Sequence, residues 1–149
     1  MRWLVLVWLV CVATTAQAGR RDWTGSAACG ACHPKELAAW QTTPHANTRT
    51  RFEGKPPAAC LACHGTGDAP AGAAIEVAVG CEACHGAGAA YGADDIMRDK
   101  PVALALGLVD LAQPKLRAAT CATCHQRRTK ATPFDPTVNP HPTQTSPHS

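Results

Sequence analysis

The chain has 149 residues, nine cysteines, seven histidines and a formal charge of +3. That length supports one domain, or two very small ones, and excludes a large multidomain enzyme. The positive excess is too weak and too scattered for a nucleic-acid-binding surface.

Met1-Arg2, an apolar run from Trp3 to Val12 and Ala16-Gln17-Ala18 before Gly19 have the layout of a secretory signal peptide, expected to be cleaved after residue 18. The apolar run is shorter than the roughly 20 residues of a membrane-spanning helix. Cys11 leaves with the leader, and Val10 stands before it where lipid attachment asks for a small residue. Cleavage lowers the formal charge to +2 by removing Arg2, and no second hydrophobic stretch follows. The expectation is a soluble periplasmic or otherwise extracytoplasmic protein, with no stable membrane span once the leader is gone.

Residues 19–149 contain only 16 Leu, Ile, Val and Phe in 131 positions, about 12%. Chains below roughly 20% struggle to build an ordinary core. Small chains with this deficit are held by disulfides, a structural metal or a covalent cofactor.

The first paired cysteines are Cys29-Gly-Ala-Cys32, followed at once by His33. Pro34 to Thr42 then reads as a short helix, with Pro34 at the favoured first position and Leu37 and Trp40 on one face. It is expected to stop at Thr43, because the residue before a proline is biased out of the helical region. His45 follows directly, held by Pro44. The second pair is Cys60-Leu-Ala-Cys63-His64, and the Gly-, Ala- and Pro-rich residues 65 to 74 read as loop. Ile75 to Val79 alternates like a short strand, though five residues alone make a marginal one. Cys81-Glu-Ala-Cys84-His85 is the third pair, and the charged stretch Asp94 to Arg98 beyond it reads as a solvated loop. Val102 to Leu111 is dense enough in apolar residues for a helix, with Pro101 in its first turn and Gly107 as its weak spot. Pro114 starts a further helix toward the fourth pair, Cys121-Ala-Thr-Cys124-His125. Prolines 133, 136, 140, 142 and 147 preclude a helix in the tail and suggest an extended one. The expected fold is mainly α with much irregular structure and little or no sheet: one small domain over residues 19–131 that carries the four cysteine pairs, then a Pro-rich tail over 132–149.

All eight mature cysteines thus fall in four Cys-x-x-Cys-His units, the pattern of c-type haem attachment. Two thiols at that spacing reach the two vinyl groups on one porphyrin edge, and the next histidine lies under the iron. A disulfide framework gives no reason for a histidine after every second cysteine. Zinc is the better rival, since two Cys-x-x-Cys pairs make a tetrahedral site. Cys60 to Gly67 and Cys81 to Gly88 even resemble the glycine-bearing zinc repeats of DnaJ-type chaperones, but the other two pairs lack those glycines and no J-domain precedes them. Four covalently bound haem c groups are therefore expected, through Cys29, Cys32, Cys60, Cys63, Cys81, Cys84, Cys121 and Cys124, with His33, His64, His85 and His125 as proximal iron ligands. These apolar macrocycles replace the missing core, so folding should require them. The intervals of 31, 21 and 40 residues between motifs are too irregular for a solenoid repeat. They are short enough to force the haems together.

The sixth iron position separates a carrier from a catalyst. His45, His141 and His148 remain for four irons, with His45 and His141 the stronger candidates and the penultimate His148 the weaker. Met97 is the sole mature methionine and a further candidate; a thioether ligand there would raise that haem's potential. Ordinary packing beside Ile96 is its alternative role.

Cys29-x-x-Cys32-His33, Pro34-Lys35-Glu36, Trp40 and Thr43-Pro44-His45-Ala46 resemble the opening of multihaem cytochromes of the cytochrome c-554 type. Gly80-Cys81-Glu82-Ala83-Cys84-His85-Gly86-x-Gly88 is similar to that family's next hallmark. The resemblance implies that His45 is the distal ligand of another haem. It also implies a further distal histidine where this chain has Tyr91, a tyrosine that could ligate iron but more commonly packs near a porphyrin. Electron transfer through a packed haem cluster, between redox protein donor and acceptor, is the implied function; an electron carrier is expected rather than an enzyme. Two alternatives follow from the ligand shortage. One is a small haem reductase with an open iron for a small nitrogen-type substrate. The other is a subunit of a larger homo- or hetero-assembly of cytochromes that shares ligands. With ionised propionates the holoprotein's formal charge falls to about −2 oxidised and about −6 reduced, so partners should dock through basic faces.

Overall fold

The computed structural model describes residues 22–69, 72 and 74–125. The leader over residues 1–18, the tail over 132–149, and with it His141 and His148, lie outside the described residues. Helices make up about 54% of what is described, a small two-stranded sheet interrupts them, and the rest is irregular. This is the mainly α, sheet-poor architecture expected. Among the described residues no helix is long and apolar enough to cross a membrane.

Helix α1 (Ser26–Gly30) carries Cys29 and packs against α2 (Pro34–Gln41). Proline stands in the first turn of α2, and the helix ends one residue before Thr42, where the Thr42 and Thr43 hydroxyls donate to the carbonyls of Ala39 and Trp40, both at 2.7 Å. Gly30 faces Leu37 so closely that a β-carbon has no room. Two bonds fasten the end of α2 across the chain: Trp40 Nε1 donates to the Val79 carbonyl (2.9 Å), and the Val79 N–H donates to the His45 carbonyl (3.0 Å). A 3-10 turn at Thr48–Arg51 leads on to α3 (Ala58–His64), the second motif.

Strands β1 (Thr66–Gly67) and β2 (Ala74–Glu76) pair antiparallel, Thr66 opposite Glu76 and Gly67 opposite Ala74. The loop expected over 65–74 therefore contains a strand, and the strand expected over Ile75–Val79 stops at Glu76. The reason lies in the carbonyls beyond it. Those of Val77, Ala78 and Val79 meet the side chains of Thr48 (3.2 Å), Thr66 (2.7 Å) and Trp40 (2.9 Å), which leaves no ladder to continue.

Helix α4 (Cys81–His85) is the third motif, and a 3-10 turn at Gly88–Ala90 follows. The charged stretch expected as loop is helix α5 (Asp94–Arg98), with Arg98 and Asp94 paired one turn apart at 2.8 Å. The helix expected over Val102–Leu111 is α6 (Lys100–Ala105), capped by Asp99 Oδ1 accepting from the Val102 N–H (3.2 Å). It is shorter because Gly107 takes a φ of 109°, a conformation only glycine adopts readily, and the chain turns off so that the Val109 N–H reaches the His85 carbonyl (3.0 Å). Helix α7 (Pro114–His125) starts at the expected proline and ends on the fourth motif.

The core explains the composition. Ala78, Tyr91 and Ala103 are the buried hydrophobic residues among those described, beside buried Ser26, Thr48, Thr66 and Glu82. Ile75, Val102, Leu106 and Leu116 are 41–47% exposed, so the few large aliphatic groups are not all collected inside. Two alanines and a tyrosine bury far too little apolar surface to offset the entropy of ordering a domain. The apolar mass has to come from elsewhere.

Candidate haem attachment centres

A Cys-x-x-Cys-His unit wound into one helical turn places its first cysteine, second cysteine and histidine at i, i+3 and i+4, all on one face. The structure builds this at α3 and α4, and again at the end of α7. In the first motif α1 ends at Gly30, and His33 sits at the start of α2 with its N–H still bonded to the Cys29 carbonyl (2.9 Å). Among the described residues no disulfide joins any of the eight cysteines. Among the described residues no group of three or more His, Cys, Asp or Glu side chains converges as a cage for a single metal ion.

The motifs are near one another. α1 packs on α4, and interaction with Cys81 together with burial pushes the Cys29 thiol up, while the same interaction draws the Cys81 thiol down against the effect of its burial. Cys84 is pushed up to about 11, first by burial and then by the nearby Cys121 and Cys124 of the fourth motif. α7 in turn packs on α3, and Cys124 Sγ lies 4.0 Å from the Ala62 carbonyl within the second motif. In space the motifs run first, third, fourth, second, an order that sequence could not supply.

Each centre has its own surroundings. His85 Nδ1 lies 3.4 Å from the Val109 carbonyl; protonated there, the ring keeps Nε2 for a metal, the usual device for orienting a ligating histidine. His64 meets the edge of Phe52, centroids 5.4 Å apart and planes at 89°, while its buried Nδ1 has no hydrogen-bond partner. A cavity of about 230 Å³ opens beside it, lined by Arg51, Phe52, Ala59, Cys60, Cys63 and His64. Two thiols and an imidazole bordering one open space are the donor set that covalent haem attachment requires.

His45, carried on the turn after α2, comes against His125 at the end of α7, ring centroids 6.1 Å apart and planes at 76°. Met97 is half-buried on α5, which packs chiefly against α6. Tyr91 is 6% exposed, and its hydroxyl faces the carbonyls of His85 (3.1 Å) and Gly86 (2.7 Å). Those carbonyls occupy its proton, and burial raises its pKa, so Tyr91 clamps the third motif as a neutral phenol. Sequence reasoning missed Val109, Phe52, Arg51 and Thr48 as surroundings of the histidines. Only Glu82 left a visible mark, a carboxylate between two cysteines that proves 2% exposed.

Residues 28–86 match the family model of cytochrome c554 and c-prime, which supports a multihaem c-type cytochrome of this family. That segment holds the first three motifs whole and stops before Tyr91 and the fourth. No curated protein and no solved structure matches the chain.

Proposed function

We propose that this chain, a multihaem c-type cytochrome of the c554 and c-prime family by its match over residues 28–86, is an exported tetrahaem electron carrier. The observation that carries the reading is the spatial run of motifs, with α1 against α4, Cys84 beside Cys121 and Cys124, and α7 against α3. Haem bound at each motif supplies a one-electron iron couple. The chain's own residues do the rest. Cysteines at i and i+3 would hold each group covalently, and the following histidine would ligate its iron. With His85 Nδ1 protonated toward the Val109 carbonyl, the ring would keep Nε2 for the metal. Packing of the motif-bearing helices leaves no long protein gap between neighbouring centres.

With haem at the fourth motif, His45 would hold its iron together with His125. Two imidazoles that share one metal through bonds of about 2.0 Å would have ring centroids at most about 6 Å apart. The observed 6.1 Å fits that span. His141, and with less support His148 and Met97, are the remaining candidates for the other irons. Tyr91 does not join them, because its hydroxyl serves the backbone of the third motif.

The holoprotein works in the periplasm or another extracytoplasmic space, takes electrons from one redox protein and passes them to another. Its acidic charge with four bound haems suits basic docking faces on both. Spectroelectrochemical titration of the holoprotein tests this: several overlapping, reversible, low-potential steps are expected. A protein that binds no haem, or binds it without reversible reduction, would rule the carrier out.

A further inference from the structure

We infer that Glu82 is a fixed buried negative charge that lowers the reduction potential of the third haem. The inference rests on the tetrahaem reading above and goes beyond it by assigning one residue a role at one centre. Glu82 lies between Cys81 and Cys84 and is 2% exposed. Its Oε1 accepts from the N–H of Thr24 (2.9 Å), the N–H of Gly88 (2.6 Å) and the Thr24 hydroxyl (3.2 Å). Oε2 accepts from the N–H groups of Gly25 (2.7 Å) and Thr24 (3.1 Å). Both oxygens act only as acceptors, the pattern of a carboxylate rather than a carboxylic acid.

Every one of these donors is neutral. The ion pairs of Asp94 with Arg98 and of Lys100 with Asp110 lie elsewhere. The structure thus holds a carboxylate in a dry site by hydrogen bonds alone, one residue from a haem thioether and three from the proximal His85. A charge excluded from water acts over such a distance with little screening. Adding an electron to the iron brings negative charge toward a fixed anion, so the oxidised form is favoured and the potential falls. Glu76 adds to the effect from a more solvated position, accepting from the Ser26 hydroxyl (2.7 Å), whose oxygen in turn accepts from the Cys81 N–H (3.1 Å). If Glu82 served only to fasten Thr24 and Gly25 to the third motif, an uncharged acceptor would serve as well and no couple would respond to its charge.

The test is a potentiometric titration of the four-haem holoprotein, with couples assigned by magnetic resonance, for wild type, Glu82→Gln and Thr24→Val. In Glu82→Gln the third couple should shift about tenfold in favour of the reduced form, which is 59 mV for one electron, while the other three stay in place. Thr24→Val keeps the carboxylate but removes one of its donors, and should move the same couple severalfold the other way. The Thr24→Val result decides if the Gln variant fails to take up its haems. A third couple unmoved in a fully loaded Gln variant, or unmoved or raised in Thr24→Val, overturns the inference. Wild-type protein without four couples overturns the tetrahaem reading itself, a separable outcome.

Discussion

His45 and His125, eighty residues apart in sequence, meet with ring centroids 6.1 Å apart and planes 76° apart. One sits on the turn after α2, pinned there by the Val79 N–H on its own carbonyl at 3.0 Å. The other is the last residue of α7. An iron held by both, as proposed above, would join the two halves of the chain and act as a tertiary restraint.

Replacing His45 by alanine should therefore convert one iron of four from low to high spin and open it to carbon monoxide, one molecule per chain. Electron paramagnetic resonance and reduced-minus-carbon-monoxide spectra read this directly. If all four irons remain low-spin in the variant, His45 serves no haem.

Tyr91→Phe should leave the haem spectrum unchanged, because the phenol serves two backbone carbonyls and no iron. It should still lower stability by about 1–3 kcal/mol, since the Gly86 carbonyl loses its donor, and the His85 carbonyl keeps only the Val109 N–H, in a site where Tyr91 is only 6% exposed. Denaturant melts of the holoprotein give the first number that matters, and a spectral change at one haem would reassign the tyrosine as a ligand.

Gly86 follows the third motif with a φ of 85°, and a β-carbon there would lie 2.6 Å from the Gly107 carbonyl. Gly86→Ala should cost more than about 1 kcal/mol from backbone strain and push Gly107 away. Val109, two residues on, would then lose its hold on His85. A shifted third couple alongside the lower melting point is expected; a change in stability without any shift would separate Val109 from ligand orientation.

Replacing Cys121 and Cys124 together by alanine should reduce the covalent haem from four per chain to three. The fourth motif lies outside the matched segment, so its chemistry stands on α7 alone. Haem content unchanged by the double substitution would remove that motif from the count.

Local pattern made the helices at Pro34 and Pro114 readable, because a proline start and an apolar face need no knowledge of the rest of the chain. The same logic failed where distant side chains intervened. Thr48, Thr66 and Trp40 end the strand at Glu76 by taking its downstream carbonyls, and no residue in 75–79 announces them. Gly107 was visible as a weak point, but only its contact with Gly86 and the Val109–His85 bond explain why the helix stops there. The helical turns at the second, third and fourth motifs follow from the spacing of Cys, Cys and His alone. That the His45 ring comes against His125 depends on tertiary packing, which is why the sequence singles out His45 without naming the ring it meets.

Four haems per chain is the claim on which the rest depends, and the mass of the intact exported protein together with its haem-to-chain ratio tests it most directly. The expected result is a chain lacking residues 1–18 that carries four covalently bound haems, none extracted by acid and organic solvent. A ratio of three or fewer in fully matured protein, or zinc at the cysteines in place of iron, would contradict it.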